Sequence, residues 1–290
     1  MNPFRKAIDR RIADLTGRRH SPVDYTSPPG DPGLFGPESA VWRIHGDFSA
    51  MMCGGVGALL LQMLHPLALA GVWDHSTFRD DMLGRLRRTS QFIAITTYAS
   101  RQQAESAIVR VRTIHQQVTG TAPDGRPYRA DDPDLLTWVH VAEMSCFMAS
   151  YLRYRAPDCS RVEQDRYYAE SARIAVALGA RQVPTSALEV ADYLEQMRPQ
   201  LECNEHTREV VRILFRSGPQ DMVGRRAARL FMNAGIDLLP DWATHQLGFQ
   251  RSNLQQAFTR RGIQAIAPII RASVSGTARE LAEQRISRAG

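Results

Sequence analysis

Residues 51–73 form a run of 23 residues without a single Asp, Glu, Lys or Arg, interrupted by one His65–Pro66 pair. A helix that is apolar on every side belongs in a protein core or in a membrane. The run reaches the length of a membrane span. Against a span stand Gly54, Gly55, Gln62, His65 and Pro66, because proline kinks or ends a helix. The run is therefore read as a buried central helix, broken at Pro66. It leads directly into a charged segment carrying Arg85, Arg88 and Thr89. An apolar wall joined to a few chosen polar groups is how small-molecule and cofactor sites are built.

Several function classes are excluded by what the rest of the chain lacks. The net charge is +6, and Lys6 is the only lysine, so the positive charge is almost all arginine. Arginine grips phosphate and carboxylate in a bidentate way. Acidic residues are interspersed throughout, however, and no strip of arginine alternates with aromatics, which argues against a nucleic-acid surface. Cys53, Cys146, Cys159 and Cys203 are far apart and form no CxxC pair, so no zinc site is indicated. Reduced thiols and a first segment without an apolar signal core suit a cytoplasmic protein. That first segment sets Phe4, Ile8, Ile12 and Leu15 on one helical face among basic residues. Such a face either rests on a membrane surface or docks on its own domain.

Residues 17–37 are rich in Gly and Pro and read as an extended arm. Helix signals then follow one another to the C-terminus. The expected helices cover 38–50, the apolar run, 76–98 with Ser76 as N-cap, 100–118, and a helix from Asp131 or Asp132 to about Arg153. Further helices are expected over 160–178, 186–197, 205–215, 220–234, 240–247, 252–272 and 275–287. Residues 120–133 read as a turn cluster, and sustained period-two alternation is absent. The chain is read as all-α, a single helical domain over 1–290 with no internal repeat. The helices after about residue 200 either close a pocket or form an interface between copies.

Three histidines sit on apolar faces. His115 shares a helical face with Ala104, Ile108, Val111 and Val118, and His140 shares one with Leu136, Met144, Phe147 and Tyr151. His65 lies in the apolar run. Each taken singly reads as a hydrogen-bonded core histidine; three together read as candidates for a ligand to haem iron, which takes a neutral imidazole. A di-iron bundle needs Glu-x-x-His on two helices. None occurs, and His140-x-x-Glu143 is the reverse order standing alone. HExxH, GxSxG, P-loop and GxGxxG patterns are also missing, so hydrolase and nucleotide chemistry lack support. Arg85 and Thr89 are one helical turn apart and project together. With Arg88 they either serve a bound cofactor and its substrate or form a solvated basic face.

These motifs, taken in order and spacing, resemble the MpaB and rubber-oxygenase catalytic-domain family. The matching segments are ALLLQMLHPLALAGVWDHSTF (58–78), GRLRRT (84–89), RTIHQQV (112–118), DDPDLLTWVH (131–140) and DRYYAE (165–170), a likeness spanning roughly residues 36–200. The resemblance implies a helical fold with a globin-like core that binds haem b and uses dioxygen on an apolar, unsaturated substrate. It implies His115 as the proximal iron ligand, with Arg85, Arg88 and Thr89 on the distal side and His65 and His140 as further cofactor-binding candidates. Arg88 stands where latex-clearing members carry lysine, and residues 60–73 hold no acid where those members place a glutamate. The expected partners are an apolar small molecule and dioxygen. The expected activity is a haem-dependent oxygenase, with a non-catalytic haem or lipid carrier, or a helical interaction protein without cofactor, as the alternatives.

Overall fold

The computed structural model describes residues 3–18, 23–219 and 221–288. Of the expected N-terminal face, the side chains of Phe4 and Leu15 lie outside the described residues, as do positions 19–22 of the arm and Gln220. The described chain is all-α apart from one small hairpin. Its helices are α1 (Pro3–Thr16), α2 (Ala40–His45), α3 (Phe48–Gln62), α4 (Pro66–His75), α5 (Met82–Tyr98), α6 (Arg101–Gln117), α7 (Pro133–Tyr154), α8 (Arg161–Leu178), α9 (Ala187–Met197), α10 (Glu205–Arg216), α11 (Met222–Ile236), α12 (Asp241–Gln246), α13 (Asn253–Ser273) and α14 (Ala278–Ser287). Among the described residues no single helix is long and apolar enough to cross a membrane.

The apolar run behaves as its proline dictates. It makes α3 and α4, and the chain bends by 104° between them. Pro66 occupies the first turn of α4, where its missing N–H costs nothing. Helix α3 is the central element and packs most extensively on α7, then on α11. Its glycines permit this. A Cβ on Gly54 would lie 2.7 Å from the Phe147 ring and 3.0 Å from the Cys146 carbonyl oxygen of α7. One on Gly57 would lie 3.1 Å from the Gly235 carbonyl oxygen of α11. The core around this crossing takes Leu60, Leu61 and Leu64 from the run, Trp138 and Ala142 from α7, and Leu214, Met232 and Ile236 from the C-terminal helices. Those last helices are thus built into the same core.

Local chemistry shifts three expected boundaries. The helix expected over 38–50 is two helices, because Asp47 is the N-cap of α3, accepting from the Ala50 N–H at 2.9 Å. The second Asp47 oxygen takes the Arg271 Nε of α13 at 2.6 Å, so the break also ties α3 to α13. Ser76 ends α4 instead of starting α5: its N–H donates to the Val72 carbonyl at 3.0 Å. Asp81 starts α5 by accepting from the Gly84 N–H at 2.8 Å. The expected turn cluster at 120–133, with Thr119 just before it, forms an antiparallel hairpin, β1 (Thr119–Thr121) with β2 (Pro127–Arg129), reversing near Gly125 at φ +87°. Two three-residue strands are too short to leave a period-two signature. The hairpin docks on α4, where the Tyr128 hydroxyl donates to Asp74 at 2.5 Å.

The arm wraps the body. Arg285 of α14, fully buried, donates to the carbonyls of Asp31 at 2.8 Å, Tyr25 at 2.9 Å and Ala99 at 3.4 Å. Helix α1 docks inward, with Ile12 buried and Ile8 half-buried beside Ile263 and Ile270 of α13.

Candidate functional site

A cavity of ≈ 490 Å³ opens between α4, α5, α6 and α7, within the range of small-molecule and cofactor sites. Five of the six sequence-derived site residues line it: Arg85, Arg88, Thr89, His115 and His140. Most of the remaining wall is apolar, with Leu67 and Val72 from α4, Phe92 and Ile93 from α5, and Val111 from α6. His65 lies outside the wall. It N-caps α4 through its Nδ1, which accepts from the Ala68 N–H at 3.5 Å, and its ring sits 6.0 Å from that of Trp138. Burial holds it neutral, with a pKa near 4. The proline that bends the apolar run thus leaves this histidine as a helix cap.

His115 occupies the last turn of α6, a helix anchored by buried Ala104 and Ile108. Its Nδ1 is buried with no hydrogen-bond partner among the described residues. Burial depresses its pKa, opposed by the nearby Asp131 carboxylate. The imidazole is thus neutral and one nitrogen is uncommitted. Arg85 lies one turn into α5, and its Nη1 is likewise buried without a partner. Burial, then repulsion from Arg88, brings its pKa down to about 10, so it stays charged at neutral pH. Arg88 donates to the Thr77 hydroxyl at 3.0 Å, and the Thr89 hydroxyl donates back to the Arg85 carbonyl at 3.3 Å. Arg85 and Thr89 do project together into the cavity, as their spacing predicts.

Helix α7 brings His140 and, one turn on, Glu143 into the same wall. His140 is buried and has a pKa near 4 from burial alone. Glu143 is the residue that sequence reasoning passed over except as half of a failed di-iron motif. It makes no hydrogen bond or ion pair among the described residues, and burial pushes its carboxyl up to about 7. Its remaining accessible surface opens into the cavity. The signal was present: Glu143 is the only charged residue of α7 between Asp134 and Arg153. His45 was also missed. It spans from α2 to Thr97 at 3.0 Å through Nδ1 and to the Tyr167 hydroxyl at 2.9 Å through Nε2. Burial, then the neighbouring His140, holds it neutral with a pKa near 3.

Among the described residues, no group of three or more His, Cys, Asp or Glu side chains is arranged to hold a metal ion. A metal held here would have to bring most of its ligands with it.

The family model described as ER-bound oxygenase mpaB/B′/rubber oxygenase, catalytic domain, matches residues 42–272. The chain belongs to this oxygenase family. The match runs from α2 into the last turn of α13, so it reaches well past residue 200, where the motif-bearing likeness stops. All the cavity residues discussed above lie within it. Comparison with curated proteins and with solved structures gives no match. An oxygenase catalytic domain implies a small-molecule substrate and dioxygen as partners, which suits an apolar cavity with few polar groups.

Proposed function

We propose that the protein is a haem b-dependent oxygenase acting on an apolar, unsaturated small molecule of isoprenoid or lipid-like character. The observation that carries this reading is the pairing of a neutral, uncommitted His115 imidazole with an uncommitted Arg85 guanidinium on one mostly apolar wall. The residues fit the group: one neutral imidazole for the iron, and a buried arginine for an anionic propionate edge. Haem bound there would supply the redox centre that activates dioxygen. Arg85, charged and desolvated, would hold the anionic edge of that group. Leu67, Val72, Phe92 and Ile93 wall the cavity and keep water from the reacting atoms. Asp131, close enough to influence His115, steadies the imidazole when its second nitrogen carries the proton.

The test is the visible spectrum of the protein expressed with ample haem precursor, before and after reduction. A Soret band that shifts on reduction, and that His115→Ala removes, is the expected result. Full haem retention in His115→Ala would take the ligand role from His115 and hand it to His140. A colourless wild-type protein would defeat the haem reading altogether. Dioxygen uptake against a panel of unsaturated terpenoids and lipids then separates turnover from simple carriage.

A further inference from the structure

A second cavity of ≈ 420 Å³ adjoins the first. The two share one wall, made of His45, Gln62, Arg85, Thr89, Ile93 and Glu143. Beyond that wall the second cavity is lined chiefly by apolar side chains: Met51, Met52, Val56 and Leu59 of α3, Leu86 of α5 and Leu214 of α10. The hydrogen-bonding capacity of the shared wall is largely spent. Both His45 nitrogens are engaged, the Gln62 amide donates to the Val139 carbonyl at 3.0 Å, and the Thr89 hydroxyl donates to its own helix. Three groups remain open among the described residues: the Arg85 Nη1, the Gln62 Oε1, which can only accept, and the whole Glu143 carboxyl. Arg85 and Glu143 do not neutralise each other, because burial alone perturbs Glu143 and no cation is near enough to draw its proton off.

We propose that the second cavity is the substrate chamber, and that Glu143 is its polar anchor, donating a hydrogen bond from its neutral carboxyl to a hydroxyl or carbonyl oxygen of an otherwise apolar substrate. This rests on the oxygenase reading above and divides the labour within it. The cofactor takes the His115 cavity, and the substrate lies across the wall with its single polar atom held at Glu143. A buried carboxyl that no protein group satisfies is costly, and a ligand oxygen supplies the missing partner. At neutral pH the carboxyl retains its proton in a substantial fraction of molecules, so it can donate. His140 on the same helix, His45 from α2 and Tyr167 from α8 surround Glu143 and stay uncharged near neutrality; Arg85 of α5 is the one cation of the shared wall, and the chamber's other two arginines, Arg18 and Arg279, are paired with Asp9 and Glu283. The chamber therefore favours a neutral oxygen function over a second charge.

The experiment is displacement of the fluorescent probe 1-aminoanthracene from the purified protein by three C10 ligands: 1-decanol, decane and decylamine. The Soret band is recorded on every sample. The expected order places 1-decanol tightest, with Glu143→Leu weakening it by roughly 10-fold, the equivalent of about 1.4 kcal/mol, and leaving decane unchanged. Glu143→Gln, which keeps a neutral donor, should retain most of the alcohol affinity. Leu86→Trp or Met52→Trp, which fill only the second cavity, should abolish probe binding and keep the Soret band. Equal affinity for decanol and decane, or full decanol affinity in Glu143→Leu, would overturn the anchor. Tightest binding of decylamine, lost in Glu143→Gln, would make Glu143 an anionic receptor and overturn the ligand class. Unaltered probe binding in both filled variants would overturn the chamber. Should the wild-type protein carry no haem, the displacement results remain readable, so failure of the haem reading and failure of this one are distinguishable.

Discussion

Replacing Glu143 with glutamine should make the protein more stable, and increasingly so as the pH rises. The carboxyl sits at about 7 in the folded protein against the ordinary glutamate value of 4.5, with burial as the cause. The unfolded chain therefore ionises first as pH rises, and wild-type stability falls between pH 4.5 and pH 7 and then levels off. A gap of roughly 2.5 in pKa, at about 1.36 kcal/mol per unit, amounts to about 3 kcal/mol in full. Glutamine keeps the shape and has no proton to lose. The stability difference between Glu143→Gln and wild type should thus widen by about 2–3 kcal/mol from pH 5 to pH 8. Buried His45 and His140 work in the opposite direction. Their folded pKa values, near 3 and near 4, are depressed, so each costs stability as pH falls from 6.5. Both are present in the two proteins and cancel in the difference. Urea denaturation at pH 5, 6, 7 and 8, followed by far-UV circular dichroism, measures it. Parallel stability curves across that range would refute the reasoning, since they would mean that the carboxyl ionises in the fold as it does in water. A stabilising Glu143→Gln, beside a Glu143→Leu that loses selectivity for the alcohol, would show a buried acid kept for function at the expense of stability.

Other perturbations separate structural from functional residues. Arg285→Met removes the three hydrogen bonds that Arg285 donates to the carbonyls of Tyr25, Asp31 and Ala99. It should cost at least about 3 kcal/mol and speed proteolysis within residues 23–37. Gly54→Ala should lower stability by about 1–3 kcal/mol, because its Cβ meets Phe147 and the α7 backbone. Gly55→Ala, whose nearest neighbour is 4.0 Å away, should be neutral or stabilising by up to about 1 kcal/mol; equal losses at both positions in thermal melts would contradict the close α3–α7 approach. His65→Ala should lose about 1 kcal/mol, which His65→Asn largely restores as an alternative cap, and neither should alter a haem spectrum. A weakened Soret band in both would put His65 back at the cofactor.

The all-α class, the buried apolar run and its break at Pro66 are legible in the amino-acid order, because helix periodicity, caps and proline act within a few residues of themselves. The family motifs and five of the wall residues are legible for the same local reason: Arg85 and Thr89 share a face by spacing, as do His115 and Val111. Partners distant in sequence are not. Asp47 splits a helix that periodicity would carry through, and its second oxygen meets Arg271, 224 positions away. His65 looks like a ligand in an apolar run and is a cap, because the chain turns through 104° beside it. Glu143 looks like one acid on a long apolar helix. Only the packing of α2, α3, α5 and α7 sets it in a wall between two cavities, without a partner. Sequence periodicity says which side of a helix is apolar, but burial, and with it the protonation of Glu143 and the orphaned nitrogens of His115 and Arg85, depends on what the other helices bring against that side.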